Sequence, residues 1–370
     1  MKKNVAVIFG SKSVEHEISI ITANQILNAI DRNKYNVIPI YISKNGIWYT
    51  GSILENLENF KDVQSVLKKA KKIRFLEKKN SQLLIKSNLK TYEIDICLLA
   101  THGTYGEDGS LQGFCEMMDI PYTGAGVLSS AVSNDKVITK QLLKENNIPV
   151  VDFNFITKHE WDSSYEKFIK SCENQFGYPM FIKPSKLGSS IGITKVNSKD
   201  EFINAAELAF SFDNKILVEK SIENAREFNC AVMGYKNILV SEVEEIIKKS
   251  HFFDYTEKYI NNGKKFSNHK IPANVDEITK QEIIKLAKKT FKALDCCGNI
   301  RIDFLFNDKI YVNEVNTIPG ALAFYLWEAT GITFTHLIDN LINIAEEVYK
   351  DKKNKTYSID VNILSLKVEK

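Results

Sequence analysis

Apolar and polar positions fall along the chain in blocks that predict alternating strands and helices. Val5–Phe9 is a short apolar run and reads as a buried parallel strand. Polar Gly10-Ser11-Lys12-Ser13 follows, then a helix from Glu15 to Ala29. Tyr35–Ile42 predicts a second strand, and Ile94–Ala100 another buried one that ends just before His102. Lysine-rich Lys61–Lys90 reads as surface helix and hairpin. This alternation predicts a doubly wound α/β domain. Ligands bind at the carboxyl ends of strands in such sheets. Glu15 and His102 both follow strands, so they are expected to face one cleft.

A second unit begins near Ser133. It opens with a helix at Asp135–Glu145, which carries Lys136 and Lys140. Strands are expected at Tyr178–Ser185 and Ile191–Val196, flanking a glycine-serine loop, and then at Ile216–Glu219 and Glu227–Met233. A third unit holds a strand at Ile238–Ile246, the polar loop His251–Lys270, a helix at Ile278–Leu294, a hairpin, and a helix at Phe334–Tyr349. The expected division is 1–132, 133–233 and 234–349. A tail at 350–370 is expected as an edge strand or as disordered chain.

The hairpin at Asn299–Gly320 carries the densest candidate chemistry. It predicts two strands joined by a tight Asn307-Asp308 turn. Side chains alternate faces along a strand. Arg301 and Asp303 therefore share one face, and Val312, Glu314 and Asn316 share one face of the next strand. A simple two-residue closure puts Arg301 opposite Glu314. Two carboxylates and an amide suit Mg²⁺, which takes its remaining ligands from water and phosphate. Arg301 suits a place where negative charge builds up. A surface hairpin with a cross-strand ion pair explains Arg301 and Glu314 alone, but not Asn316 followed by Thr317-Ile318-Pro319-Gly320.

Composition narrows the class. The chain has 370 residues, enough for two or three domains, and an apolar fraction of 44%. Its 49 basic and 46 acidic residues leave a net charge of +3, which makes no case for nucleic-acid or membrane partners. Six cysteines show neither metal-type nor disulfide-framework spacing. Val5–Phe9 is too short for a signal-peptide core. A cytoplasmic protein is expected, with a homodimer as one candidate oligomer.

Several loops add to the hairpin. They are Val14-Glu15-His16-Glu17-Ile18-Ser19, His102-Gly103-Thr104-Tyr105-Gly106-Glu107-Asp108-Gly109, Lys183-Pro184-Ser185-Lys186-Leu187-Gly188-Ser189-Ser190-Ile191-Gly192 and Phe253-Asp254-Tyr255-Thr256-Glu257-Lys258-Tyr259. A Gly/Ser loop offers N–H groups and hydroxyls to phosphate oxygens, although the Walker order is absent here. Alone, Lys183 reads as a solvated hairpin lysine and Glu15 as a first-turn helix carboxylate. With Glu314-Val315-Asn316-Thr317-Ile318-Pro319-Gly320, and in this order, the series resembles the D-alanine–D-alanine ligases of the ATP-grasp superfamily. The resemblance runs from about Val5 to about Leu341.

The resemblance implies an ATP-grasp fold: an amino-terminal doubly wound parallel-sheet domain followed by two α+β subdomains that enclose ATP. It implies a ligase that joins two D-alanines through an acylphosphate for peptidoglycan precursors, with ATP as cosubstrate and Mg²⁺ or Mn²⁺. Lys136, Lys183 and Lys258 would reach phosphates. Glu219 would hold the adenine amino group and Glu227 the ribose, across a spacing about one residue longer than usual. Glu15 would bind the first D-alanine's ammonium, with His102 near its carboxylate. Tyr259 would bond towards Ser189 and Glu15 to lock a lid, and a tyrosine there favours an amine acceptor over D-lactate. Asp303, Glu314 and Asn316 would hold the metal. Arg301 and the Gly320 N–H would stabilise the oxyanion. No role is expected for His16, His159, His251, His269 or His336.

Two positions depart from the family. Ser11 stands where a second glycine is common. Tyr325 stands five residues beyond Gly320, where a serine usually holds the second D-alanine's carboxylate. The acceptor therefore stays open between D-alanine and D-serine, D-lactate or another amino acid. A non-catalytic nucleotide-binding protein is the rival of a different class.

Overall fold

The computed structural model describes residues 2–76, 83–88, 90–247 and 269–359. The amino-terminal sheet contains β1 (Lys3–Gly10), β2 (Tyr35–Ile42), β3 (Trp48–Thr50), β4 (Lys71–Lys72) and β8 (Ile96–Leu99), in the order β4-β3-β2-β1-β8. β1 pairs parallel with β2 on one side and with β8 on the other. The strand order therefore reverses at β1, and the chain leaving β1 and the chain leaving β8 part around one crevice. Glu15 follows β1 and immediately precedes α1 (His16–Ala29), while His102 follows β8. The expected Ile94–Ala100 strand is interrupted at Asp95, whose carboxylate accepts the Asn4 N–H at 2.7 Å. The lysine-rich stretch forms α2 (Val63–Lys69) and a three-stranded sheet of β5 (Arg74–Phe75), β6 (Leu83–Ser87) and β7 (Lys90–Ile94).

Helices α3 (Ser110–Met117), α4 (Val127–Asn134) and α5 (Lys136–Glu145) lead to a second sheet. There β9 (Phe153–Thr157), β10 (Met180–Pro184), β11 (Thr194–Val196) and β12 (Lys215–Lys220) pair antiparallel in the order β11-β10-β12-β9. Helices α6 (Lys158–Phe176) and α7 (Lys199–Phe210) supply Trp161, Ile169 and Phe202 to its core. The predicted strand at 191–196 is confined to β11.

The third sheet holds β13 (Arg226–Gly234), β14 (Ile238–Ile246), β15 (His269–Lys270), β16 (Gly298–Phe306) and β17 (Ile310–Asn316), in the order β15-β14-β13-β16-β17. Alternation splits its faces. Phe228, Cys230, Val232, Ile300, Ile302 and Phe304 pack with α8 (Glu277–Ala293), and the opposite face is polar at its centre. Leu326 and Trp327 of α9 (Phe324–Glu328), with Leu337 and Ile338 of α10 (Phe334–Lys353), complete the amino-terminal core. α10 extends through Lys353, so the start of the expected tail is a helix end. Lys350, Lys352 and Lys353 there complement the helix dipole. All six cysteines are free. Among the described residues no helix is long and apolar enough to cross a membrane.

Candidate active site

The hairpin register differs from the two-residue closure expected from the sequence. Phe306 pairs with Ile310, leaving a three-residue turn, and Asp303 pairs with Glu314 while Phe304 pairs with Val312. Asn313 is thus an extra, bulged residue. The longer turn alone would have pointed Glu314 into the core, and the bulge returns it to the polar face. Arg301 consequently lies opposite Asn316, not Glu314. Val312 does not share the polar face: it is 1% exposed, in the core with Val315. On β13, Ala231 opposes Arg301, Asn229 opposes Asp303, and Glu227 opposes Leu305. Glu227, Asn229, Arg301, Asp303, Glu314 and Asn316 therefore share one face.

Arg301 grips Asp303 with both ends of its fork, Nε to Oδ1 at 2.7 Å and Nη2 to Oδ2 at 3.0 Å. Burial works against the Arg301 charge, but Asp303, with Tyr325 and Glu244, outweighs it and holds the guanidinium protonated. Asn316 Nδ2 donates to Asp303 Oδ2 at 3.3 Å. Among the described residues no group of three His, Cys, Asp or Glu side chains could hold a metal. The donor set here is two carboxylates and an amide. That fits Mg²⁺ or Mn²⁺, because such an ion takes only one or two carboxylates from protein and completes its shell with water and phosphate.

α5 links this face to the second sheet. Its N-cap, Asp135, accepts from the N–H groups of Val137 and Ile138, from Ser185 Oγ at 2.6 Å and from Lys215 Nζ at 2.7 Å. Lys136 and Lys140 project from one side of α5, four residues apart. Lys136 Nζ meets Glu314 Oε1 at 2.8 Å and donates to the Leu187 carbonyl at 2.6 Å. Lys140 Nζ lies 2.5 Å from Glu219 Oε1, and Lys183 pairs with the other oxygen. Burial raises the Glu219 carboxyl, but Lys140 and Lys183 outweigh it and hold it down at about 2. Lys140 was not a candidate from sequence. Its spacing from Lys136 was the available signal.

At the amino-terminal crevice, Ser189 Oγ donates to Glu15 Oε1. Glu15 is wedged between Gly103 and Gly188. A Cβ on Gly103 would sit 2.6 Å from Glu15 Oε2, where the carboxylate would have to move, and one on Gly188 would press it at 3.0 Å. Burial pushes the Glu15 carboxyl up and Glu107 adds to that, while Ser189 and His102 pull it down. His102 Nε2 lies 2.8 Å from Thr22 Oγ1, which also accepts the Ala321 N–H at 3.1 Å. Glu107 accepts from the Gly103 N–H and the Ile318 N–H, both at 2.9 Å. Thr22 of α1 and Glu107 of the loop after β8 thus tie the turn after β17 to the amino-terminal unit, a role that sequence reasoning missed. Ser11 takes φ 90° in place of the family's glycine, with its carbonyl accepting from His16 Nδ1 at 2.6 Å.

Tyr325 reaches the same polar face. Its hydroxyl donates to Glu244 Oε2 at 3.3 Å, and the ring packs against the amino-terminal core. Glu244 is 0% exposed and also meets Asn229 Nδ2 at 2.9 Å and His269 Nδ1 at 2.5 Å. Glu244 and His269 were not candidates from sequence. Lys258 and Tyr259 lie outside the described residues.

Two antiparallel sheets bridged by buried lysines, and an amino-terminal α/β unit contributing a buried carboxylate, define an ATP-grasp ligase. Residues 4–125 match the profile described as D-ala D-ala ligase N-terminus, and residues 142–343 match D-ala D-ala ligase C-terminus. A D-alanine–D-alanine ligase of Thermosipho melanesiensis is 59% identical over 367 residues, covering 99% of each chain. The solved D-alanine-D-alanine ligase of Coxiella burnetii superposes with a TM-score of 0.81 at 31% identity, over 95% of this chain and 96% of that one. The VanG D-Ala:D-Ser ligase of Enterococcus faecalis gives 0.80 at 34% identity, over 93% and 100%. The chain belongs to the D-alanine–D-alanine ligase family, and it is an ATP-dependent ligase.

Proposed function

We propose that the protein joins two D-alanines into D-alanyl-D-alanine, with ATP converted to ADP and phosphate, in supply of peptidoglycan precursors. The observation that carries this reading is the meeting of Ser189 with Glu15 beside the Lys136–Glu314 pair. It brings four distant stretches of chain to one place. Glu15 holds the ammonium of the first D-alanine, and His102 faces its carboxylate. That carboxylate oxygen attacks the γ-phosphorus, ADP departs, and an acylphosphate forms. The second D-alanine's amine, having lost a proton, attacks the acyl carbon, and the C–O bond to phosphate breaks. Arg301 and the Gly320 N–H stabilise the tetrahedral oxyanion. No enzyme nucleophile is required.

Lys136, Lys183 and Lys258 serve the phosphates, Glu219 the adenine amino group and Glu227 the ribose. Tyr259 closes towards Ser189. Asp303, Glu314 and Asn316 hold Mg²⁺ or Mn²⁺, which supplies neutralisation of phosphate charge when bound. The working units are 1–132 for the first amino acid and 133–349 for ATP; the expected boundary at 233 falls inside β13, which pairs with β14 and β16, so Glu227–Met233 belong to the third sheet and not to the second unit.

A second reading, with D-serine or another amino acid as acceptor, is supported by Tyr325, bonded to Glu244, standing where the family serine is expected. Phosphate release with no amino acid, with D-alanine alone and with a panel of second amino acids, followed by product mass, tests both. D-alanine alone is expected to give the dipeptide. Release only with a mixed pair favours the second reading, and no amino-acid-dependent release overturns both.

A further inference from the structure

Ala321, Leu322 and Ala323 take φ values of 52°, 54° and 50°. Three consecutive non-glycine residues in the left-handed region persist only where their surroundings hold them. Two side chains do so here. Thr22 accepts the Ala321 N–H from the amino-terminal side. Asn299 Nδ2 donates to the Leu322 carbonyl at 2.8 Å, and Trp327 Nε1 donates to Asn299 Oδ1 at 2.9 Å. Asn299 is 2% exposed and Trp327 is fully buried, so solvent does not compete for these bonds. Asn299 lies two residues before Arg301 on β16, and Trp327 two residues after Tyr325 in α9. The path Trp327–Asn299–Leu322 therefore fixes the turn against the strand that carries Arg301.

We propose that Asn299 is a positioning residue for the acceptor half of the reaction. With Trp327 it holds the left-handed turn at 321–323, so that the Gly320 N–H and Tyr325 meet Arg301 around the second amino acid. The proposal rests on the ligase reading above. ATP is held by groups on other elements, and the turn's bond towards the first amino acid's site, from the Ala321 N–H to Thr22 beside His102, is not one that Asn299 or Trp327 makes.

Hydroxylamine separates the two halves, because it traps the acylphosphate as a hydroxamate without needing the acceptor pocket. Trp327→Phe removes the N–H and leaves a smaller aromatic ring in the core, so its melting curve is read beside the rates. It is expected to lower kcat/KM for dipeptide formation by roughly 10- to 100-fold, as a small misplacement of reacting groups does. Hydroxamate formation and the KM for ATP are expected to stay near the parent's. Asn299→Ala should behave alike, and adding Ala321→Gly should recover part of the loss, since glycine takes a left-handed φ without steric cost. An equal loss in hydroxamate and dipeptide, no loss in either, or no recovery from Ala321→Gly overturns the proposal. If Asn299→Ala does not fold, the Trp327→Phe comparison alone decides. A parent chain that forms neither product fails the ligase reading itself.

Discussion

Arg301 holds Asp303 through two nitrogens of one planar fork, and a lysine cannot reproduce that geometry. Arg301→Lys keeps the charge but not its direction. It is expected to lower kcat by roughly 10²–10³, the usual loss when one donor to a developing oxyanion is removed. Initial rates at saturating ATP and D-alanine check this, and near-normal kcat with an unchanged melting curve would refute the oxyanion role. Tyr325 offers a finer test. Its ring packs in the core while its hydroxyl meets buried Glu244, so replacing it with serine would open a cavity as well as remove a donor. Tyr325→Phe changes only the donor. We expect a loss of about 1–3 kcal/mol in acceptor kcat/KM, or roughly 10–200-fold. No change would mean the hydroxyl takes no part in holding the second amino acid. The departure at Tyr325 was legible in the sequence. Its partner Glu244 was not, because a glutamate on a predicted strand gives no sign that three residues from β13, β15 and α9 will close over it.

Most strands and helices were legible because their apolar runs and flanking turns agree. Tyr35–Ile42 and Ile238–Ile246 coincide with β2 and β14. The hairpin register was not. A three-residue turn and a bulge at Asn313 each shift the pairing by one, and neither Asn307-Asp308 nor Asn313 announces its geometry locally. The second shift restores the face that the first would have turned, so Asp303, Glu314 and Asn316 still converge although their expected opposites were wrong. α5 shows what an element's end can do for a site. Asp135 caps the helix that carries Lys136 and Lys140, and it also binds Ser185 and Lys215. Burial raises the Asp135 carboxyl, but Lys215, Ser185 and the Ile138 N–H together outweigh it and hold it below its ordinary range, so it stays an acceptor. Asp135→Ala removes a cap worth about 0.5–2 kcal/mol and unpins the start of α5. The expected outcome is a lower melting temperature together with a raised KM for ATP. A stability loss with an unchanged KM would show that the cap serves the fold alone.

Across the whole molecule, the first amino acid's site depends on contacts between parts far apart in sequence. Glu15 follows β1, Glu107 follows β8, and Ser189 belongs to the loop after β10. Motif order gave these loops, but which atoms meet was legible only once the sheets were stacked. Thr22, Glu107 and Lys140 were missed for that reason, their partners lying 299, 211 and 79 residues away. The meeting sets the charge on Glu15. Burial raises its pKa first and Glu107 second, while Ser189 opposes them. A raised carboxyl costs stability once pH passes its unfolded value, since folding then favours the proton. The same shift governs binding, because Glu15 must be ionised to hold an ammonium group. The KM for the first D-alanine should therefore rise as pH falls through the Glu15 pKa, starting above the ordinary carboxylate range. The two neighbours should move that limb in opposite directions. Ser189→Ala removes a donor to the ionised form and shifts the limb to higher pH. Glu107→Gln removes a neighbouring negative charge and shifts it to lower pH, at the cost of one of the two N–H bonds that Glu107 accepts. Hydroxamate formation measured against pH at limiting D-alanine reads this limb without the acceptor step. Shifts of the same sign in both variants, or no shift in either, would remove Glu15 from the first amino acid's ammonium.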